Sequence, residues 1–74
     1  MQCIQNYTAI IKQDGGWWIG WIEELPGVNG QEDTREALLA SLKEALAEAL
    51  QMNRQDALAN AGHGYEEARI AIAA

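Results

Sequence analysis

The chain has 74 residues, 49% of them hydrophobic and 22% charged, which is typical of one globular domain over residues 1–74. Eleven acidic residues against five basic ones give a formal net charge of -6. That charge argues against direct nucleic-acid binding and favours a basic protein partner. The single cysteine excludes an intramolecular disulfide, and no apolar run approaches the ~20 residues that span a bilayer. We therefore expect a cytoplasmic protein that does not associate with membranes.

The first half of the chain predicts a β-hairpin and a short third strand. Residues 3–12 and 17–23 are rich in Ile, Tyr, Thr and Trp, a composition typical of strands. Between them, Asp14–Gly16 supplies residues that tolerate positive φ, so a tight turn is expected there. Leu25–Gly27 ends the second strand because its proline cannot donate to a central ladder. Residues 28–31 are the candidate third strand.

The length of the hairpin loop decides which side chains share a face. A loop of two or four residues pairs odd positions of the first strand with even positions of the second. A three-residue loop with a bulge swaps the faces of the second strand, and the sequence leaves both arrangements open. In the first arrangement, one face carries Tyr7, Ala9, Ile11, Trp18, Gly20 and Ile22, and the other carries Thr8, Ile10, Lys12, Trp17, Ile19 and Trp21.

A long helix is the clearest element of the second half. Asp33 stands three residues before Glu36, which indicates a capping box at the helix start. The helix is predicted to run from about residue 34 to about residue 53, followed by a loop over residues 57–64. Its apolar stripe at helical spacing consists of Leu38, Leu42, Ala45, Leu46 and Ala49.

The last segment of the chain predicts a final strand, because residues 65–74 carry Ala68, Ile70, Ile72 and Ala74 in strict alternation. The predicted fold class is therefore α+β, with the element order β-β-β-α-β. Under the right-handed crossover rule, the final strand lies parallel beside the first, which makes the strand order 3-2-1-4. One helix covers one face of this sheet. The other face keeps at least one Trp and one Ile, a patch that usually marks an interface.

Few residues offer catalytic or metal-binding chemistry. His63 lies between two glycines in the predicted loop, with no partner nearby in sequence. Glu23 and Glu24 are adjacent in a strand and point to opposite faces, so they do not chelate one metal side by side. We expect no enzymatic activity, no bound metal and no cofactor. The alternative is a metal-dependent nuclease that uses Asp14, Glu23 and Asp33, predicted to lie in a turn, at a strand end and at a helix cap.

The order of several short motifs resembles the N-terminal domain of the HicB antitoxin family. These motifs are YTAII at 7–11, DGGWW at 14–18, EELPGV at 23–28, QEDTREA at 31–37 and LKEAL at 42–46. No single motif is specific, but LPGV, QxDT and LKEAL at this spacing form a distinctive combination over about residues 7–53. The resemblance implies a partial ribonuclease-H-like fold, β-β-β-α-β, that lacks the catalytic carboxylates.

The resemblance also implies a function. HicB proteins bind and neutralise the small basic HicA toxin, an mRNA-cleaving ribonuclease, so a basic HicA-like toxin is the expected partner. The alternative is an orphan oligomeric interaction or scaffold domain that has no toxin partner. The predicted contacts are apolar at Trp17, Ile19 and Trp21 and acidic at Asp14, Glu23 and Glu24.

A homo-oligomer, a dimer or larger, is expected as well. The core is small and one sheet face stays apolar, with the exposed Trp residues as its anchors. A competing partner surface is the outer face of the helix around Glu44 and Glu48.

Overall fold

The computed structural model describes residues 6–71 and contains three antiparallel strands and one long helix. The strands are β1 (Ala9–Asp14), β2 (Trp17–Ile22) and β3 (Asn29–Glu32), which form one sheet in the order β1-β2-β3. The helix α1 spans Arg35–Ala61. The predicted α+β class, with its three strands and its long helix, is confirmed.

The hairpin between β1 and β2 has a two-residue turn, because Asp14 pairs directly with Trp17. Gly15 in this turn has a φ of 63°, a conformation that few side chains tolerate. Further along the ladder, Ile11 pairs with Gly20, so odd positions of β1 face even positions of β2. The arrangement without a bulge is therefore the one that the chain adopts.

The core lies between the sheet and the first half of α1. Among residues 6–71, the buried hydrophobic side chains of this core are Ile22, Val28, Leu38 and Leu42. Gly20 and Gly30 lie under the helix, where a Cβ atom would come within 3.2 Å and 3.4 Å of the methyl groups of Leu38. The two glycines therefore let α1 approach the sheet closely, and Leu38 is 0% exposed as a result.

The N-terminus of α1 differs from the prediction by one residue. Thr34 is the N-cap, and its side chain accepts a hydrogen bond from the backbone N–H of Ala37 at 3.1 Å. The predicted capping box from Asp33 to Glu36 is therefore wrong. Asp and Thr are both good N-caps, so composition does not choose between two adjacent candidates. Glu36 lies in the first turn, where a negative charge suits the helix dipole.

The C-terminus of α1 lies further along the chain than predicted. The helix ends at Ala61 instead of near residue 53, so the first part of the predicted loop over residues 57–64 is helical. No glycine or proline interrupts residues 54–61, and the first breaker is Gly62. Gly62 has a φ of 68° and donates its N–H to the carbonyl oxygen of Leu58 at 3.3 Å.

The prediction of a final strand over residues 65–74 is wrong for residues 65–71, which form no strand; residues 72–74 lie outside the described part of the chain. The longer helix explains the difference. At about 1.5 Å per residue, α1 carries the chain about 18 Å past Ala49, the last helical side chain that packs against the core. Arg54 then holds Glu67 beside the helix end through an ion pair of 2.7 Å. Within residues 6–71, the predicted place beside β1 therefore has no strand.

The α1 helix has 27 residues, yet neither it nor any other described segment combines the length and the apolar character needed to cross a bilayer.

Candidate functional site

The sheet face opposite α1 carries the candidate site. Alternation along β2 puts Trp18, Gly20 and Ile22 on the helix side, so the remaining side chains point the other way. No helix or strand among residues 6–71 packs on that side. We call it the open face, and it consists of Ile10, Lys12, Asp14, Trp17, Ile19, Trp21, Asn29 and Gln31.

The apolar part of the open face runs along the central strand. Trp17 is 50% exposed, Trp21 is 42% exposed, and Ile19 between them is half-buried. Trp21 lies between Ile10 on β1 and Asn29 on β3. The side chain of Ile10 is also exposed, so it widens the apolar patch from β2 onto β1. Aromatic side chains on a paired strand lose little conformational freedom when a partner covers them, which is a property of interface hot spots.

The acidic residues of the predicted site lie at opposite ends of the β1–β2 hairpin. Asp14 ends β1 and is the cross-strand neighbour of Trp17, whereas Glu23 and Glu24 follow the far end of β2. Glu24 accepts a hydrogen bond from the backbone N–H of Thr8 at 2.7 Å. The structure thus brings the three apolar site residues together on one face and places the carboxylates at both ends of the stripe.

Comparison with known proteins places the chain in a family. It is 40% identical over 65 residues to the UPF0150 protein ssl0738 of Synechocystis sp., and the match covers 85% of this chain and 83% of that protein. The chain belongs to the UPF0150 family. No family model matches it, and no solved structure matches it.

The geometry of this UPF0150 protein gives no support to the nuclease alternative. Asp14 lies at the hairpin turn, Glu23 lies at the opposite end of the hairpin, and Asp33 precedes the helix cap. Within residues 6–71, no three His, Cys, Asp or Glu side chains group closely enough to hold one metal ion. Metal-assisted hydrolysis needs such convergence.

Four residues of the open face were not among the predicted contacts, namely Ile10, Lys12, Asn29 and Gln31. Ile10 is 37% exposed and faces Trp21, and Lys12 faces Ile19. The hairpin register could have placed Ile10 and Lys12 on this face. The sequence alone leaves two registers open. The competing residues Glu44 and Glu48 are exposed on α1, away from the sheet contacts made by Leu38 and Leu42.

The contact between Glu24 and Thr8 gives the UPF0150 protein a specific acid sensitivity. Hydrogen bonds from the side chain and then from the backbone of Thr8 lower the pKa of the Glu24 carboxyl below its usual value. A lowered pKa means that the contact stabilises the fold above the unfolded-state pKa and is lost as the pH falls through the folded-state pKa.

We therefore expect Glu24→Gln to be less stable than the wild type at neutral pH, with the difference shrinking as the pH falls below about 4. Urea unfolding at neutral and at acidic pH measures both differences. Glu23→Gln is the matched control, because it removes a neighbouring carboxylate charge and leaves the contact between Glu24 and Thr8 in place. An equal loss at both pH values would contradict the assignment.

Proposed function

We propose that this UPF0150 protein is a non-catalytic, antitoxin-like protein that binds and neutralises a small basic HicA-type mRNA-cleaving toxin in the cytoplasm. The observation that carries the proposal is the open face, where two exposed Trp residues flank Ile19 on the central strand. No helix or strand among residues 6–71 covers this face of the sheet. The HicB-like motifs supply the identity of the partner. The proposal also concerns the fold: β1, β2, β3 and α1 form a partial ribonuclease-H-like arrangement. The order of these elements supports it.

Charge supports a basic partner. The formal net charge of -6 attracts a cationic protein over a distance of roughly a Debye length, about 8 Å at physiological salt. Such attraction raises the association rate more than the final affinity. The affinity then comes from apolar groups that lose their water at the contact, and Trp17 and Trp21 are the largest of these on the open face.

The decisive experiment is a calorimetric titration with a purified small basic HicA-type toxin. Trp17→Ala and Trp21→Ala should each weaken binding by at least ~2 kcal/mol, because buried aromatic anchors dominate interface energies. Met52→Ala is the matched control, since Met52 is 62% exposed on α1 and away from the open face. Wild-type affinity in both Trp variants would remove the open face as the binding surface.

The acidic residues are tested by kinetics. Replacing Glu23 and Glu24 together by Gln should mainly slow toxin association, and the effect should shrink as salt rises. The same replacement at Glu44 and Glu48 tests the outer face of α1. If only the helix variant slows association, the toxin approaches from that side instead.

A second candidate function is an oligomeric interaction or scaffold domain with no toxin. The outer edge of β1 favours it, because no strand among residues 6–71 pairs with that edge and a free edge suits association without any toxin. The neighbouring open reading frames separate the two functions. A short, basic, His-containing product that binds this chain supports the antitoxin, and the absence of any such product favours the scaffold.

A further inference from the structure

The outer edge of β1 has backbone groups that no described strand pairs. Among residues 6–71, β1 has β2 as its one strand neighbour. The N–H of Glu23 donates to the carbonyl of Thr8 at 2.9 Å, which shows that even positions of this strand bond towards β2. In an antiparallel ladder, the backbone N–H and C=O groups of the alternate residues point away from that partner strand. The backbone groups at the outer edge therefore belong to Ala9, Ile11 and Gln13.

The edge of β1 carries Lys12 but lacks two other features that usually prevent strand pairing, a bulge and a proline. All six of its residues pair one to one with β2, so it contains no bulge, and it contains no proline. The other edge strand, β3, has four residues and includes Gly30. The β1 edge is therefore the longer and more regular of the two edges.

A groove lies on the helix side beside the start of β1. The helix packs mainly over β2 and β3, and Ala9 of β1 lines this groove together with Asn6, Tyr7, Ile22, Leu39, Leu42, Lys43 and Leu46. Ile11 also points to this side and is half-buried against the core. A strand added at this edge would therefore gain backbone hydrogen bonds and apolar contacts together.

We propose that this edge pairs with the same edge of a second copy, antiparallel about a two-fold axis, to form one six-stranded sheet. Local charge does not oppose self-association at this strand, although the whole chain has a net charge of -6. β1 carries one cation, Lys12, and one anion, Asp14, so it is locally neutral. A basic toxin would find no acidic cluster on this strand.

The register follows from the charges. Because the outward backbone groups belong to odd residues, two registers give the greatest overlap of the paired strands. One puts Lys12 of one copy opposite Lys12 of the other, and like charges directly opposite are unfavourable. The other puts Ile11 opposite Ile11 on the groove side and Gln13 opposite Ala9, so we assign this second register.

The pairing leaves the open face available. Opposed residues in an antiparallel pair share a face, so both helices lie on one side of the joined sheet and both open faces on the other. Trp17 and Trp21 lie on β2, one strand away from the new pairing. Dimerisation through β1 and toxin binding through the open face therefore use different atoms, and either can fail without the other.

The test compares two substitutions at Gln13, whose side chain is exposed. Gln13→Pro removes an outward N–H and should cost no hydrogen bond to β2, whereas Gln13→Ala keeps the N–H. Light scattering over a concentration series should show a dimer for the wild type and for Gln13→Ala. For Gln13→Pro, the dimer dissociation constant should rise at least about tenfold while circular dichroism shows an unchanged helix content.

A crosslinking experiment tests the register without relying on proline. In a Cys3→Ser background, a short bis-maleimide should join two Ile11→Cys chains efficiently and two Gln31→Cys chains poorly, because Gln31 lies on β3. A monomeric wild type at submillimolar concentration would overturn the proposal. So would dimerisation that survives Gln13→Pro but is lost in Trp21→Ala, since that result places the contact on the open face.

Discussion

Replacing Leu38 by alanine is expected to lower the free energy of unfolding by about 3 kcal/mol, the middle of the range for a fully buried leucine. Leu38 is 0% exposed and packs over Gly20 and Gly30. The two glycines have no side chain that could move into the cavity left by the smaller alanine. A core of this size supplies only about 3–5 kcal/mol on its own. Urea unfolding followed by circular dichroism should therefore show a variant that keeps at most about 2 kcal/mol of stability and begins to unfold at the lowest urea concentrations.

Leu50→Ala is the control for this measurement. Leu50 lies on the same helix but is 36% exposed, so the same truncation should cost less than about 1 kcal/mol. If the two variants lost equal stability, a general effect on α1 would explain the result, and the packing of Leu38 would not, because alanine is itself a better helix former than leucine.

Replacing Gly20 by alanine is expected to destabilise the fold by about 2 kcal/mol, although alanine normally suits a strand better than glycine. A Cβ atom at this position would lie 2.8 Å from the carbonyl oxygen of Ile10 and 2.9 Å from a methyl group of Ile11. The first neighbour is backbone and has little freedom to move. Relieving the contact therefore requires β1 and β2 to separate or shift.

Thermal and urea unfolding measure this effect against Gly16→Ala. A Cβ atom at Gly16 meets nothing within 4 Å, so that variant should stay within about 0.5 kcal/mol of the wild type. A stabilised Gly20→Ala variant would show that the strands adapt to the extra methyl group and that glycine is not required there.

Much of the fold was predictable because local chemistry determined it. The glycines at positions 15 and 16 favour a tight turn, and the turn length then sets every cross-strand pair. The spacing of Leu38 and Leu42 indicated the buried side of α1, and both are buried. The three apolar contacts of the candidate site share one face for the same reason, since alternation follows once the register is known.

The errors lie where distant packing decides the structure. The alternation of Ala68 and Ile70 is typical of a strand, but a strand also needs a neighbour, and Ile70 is 87% exposed in this structure. The prediction placed the helix end near residue 53, and each additional helical turn moves the tail further from the sheet.

The projection of α1 beyond Ala49 divides the helix into two parts with different protection from solvent. Residues 35–49 include the buried Leu38 and Leu42, whereas every residue from 50 to 61 is exposed except the half-buried Leu58. A helical stretch of this length is marginal on its own in water. Its amide protons therefore exchange through local fraying, well before the chain unfolds globally. A binding partner that packed along this outer stretch would lengthen the cooperative unit of the domain without changing its backbone.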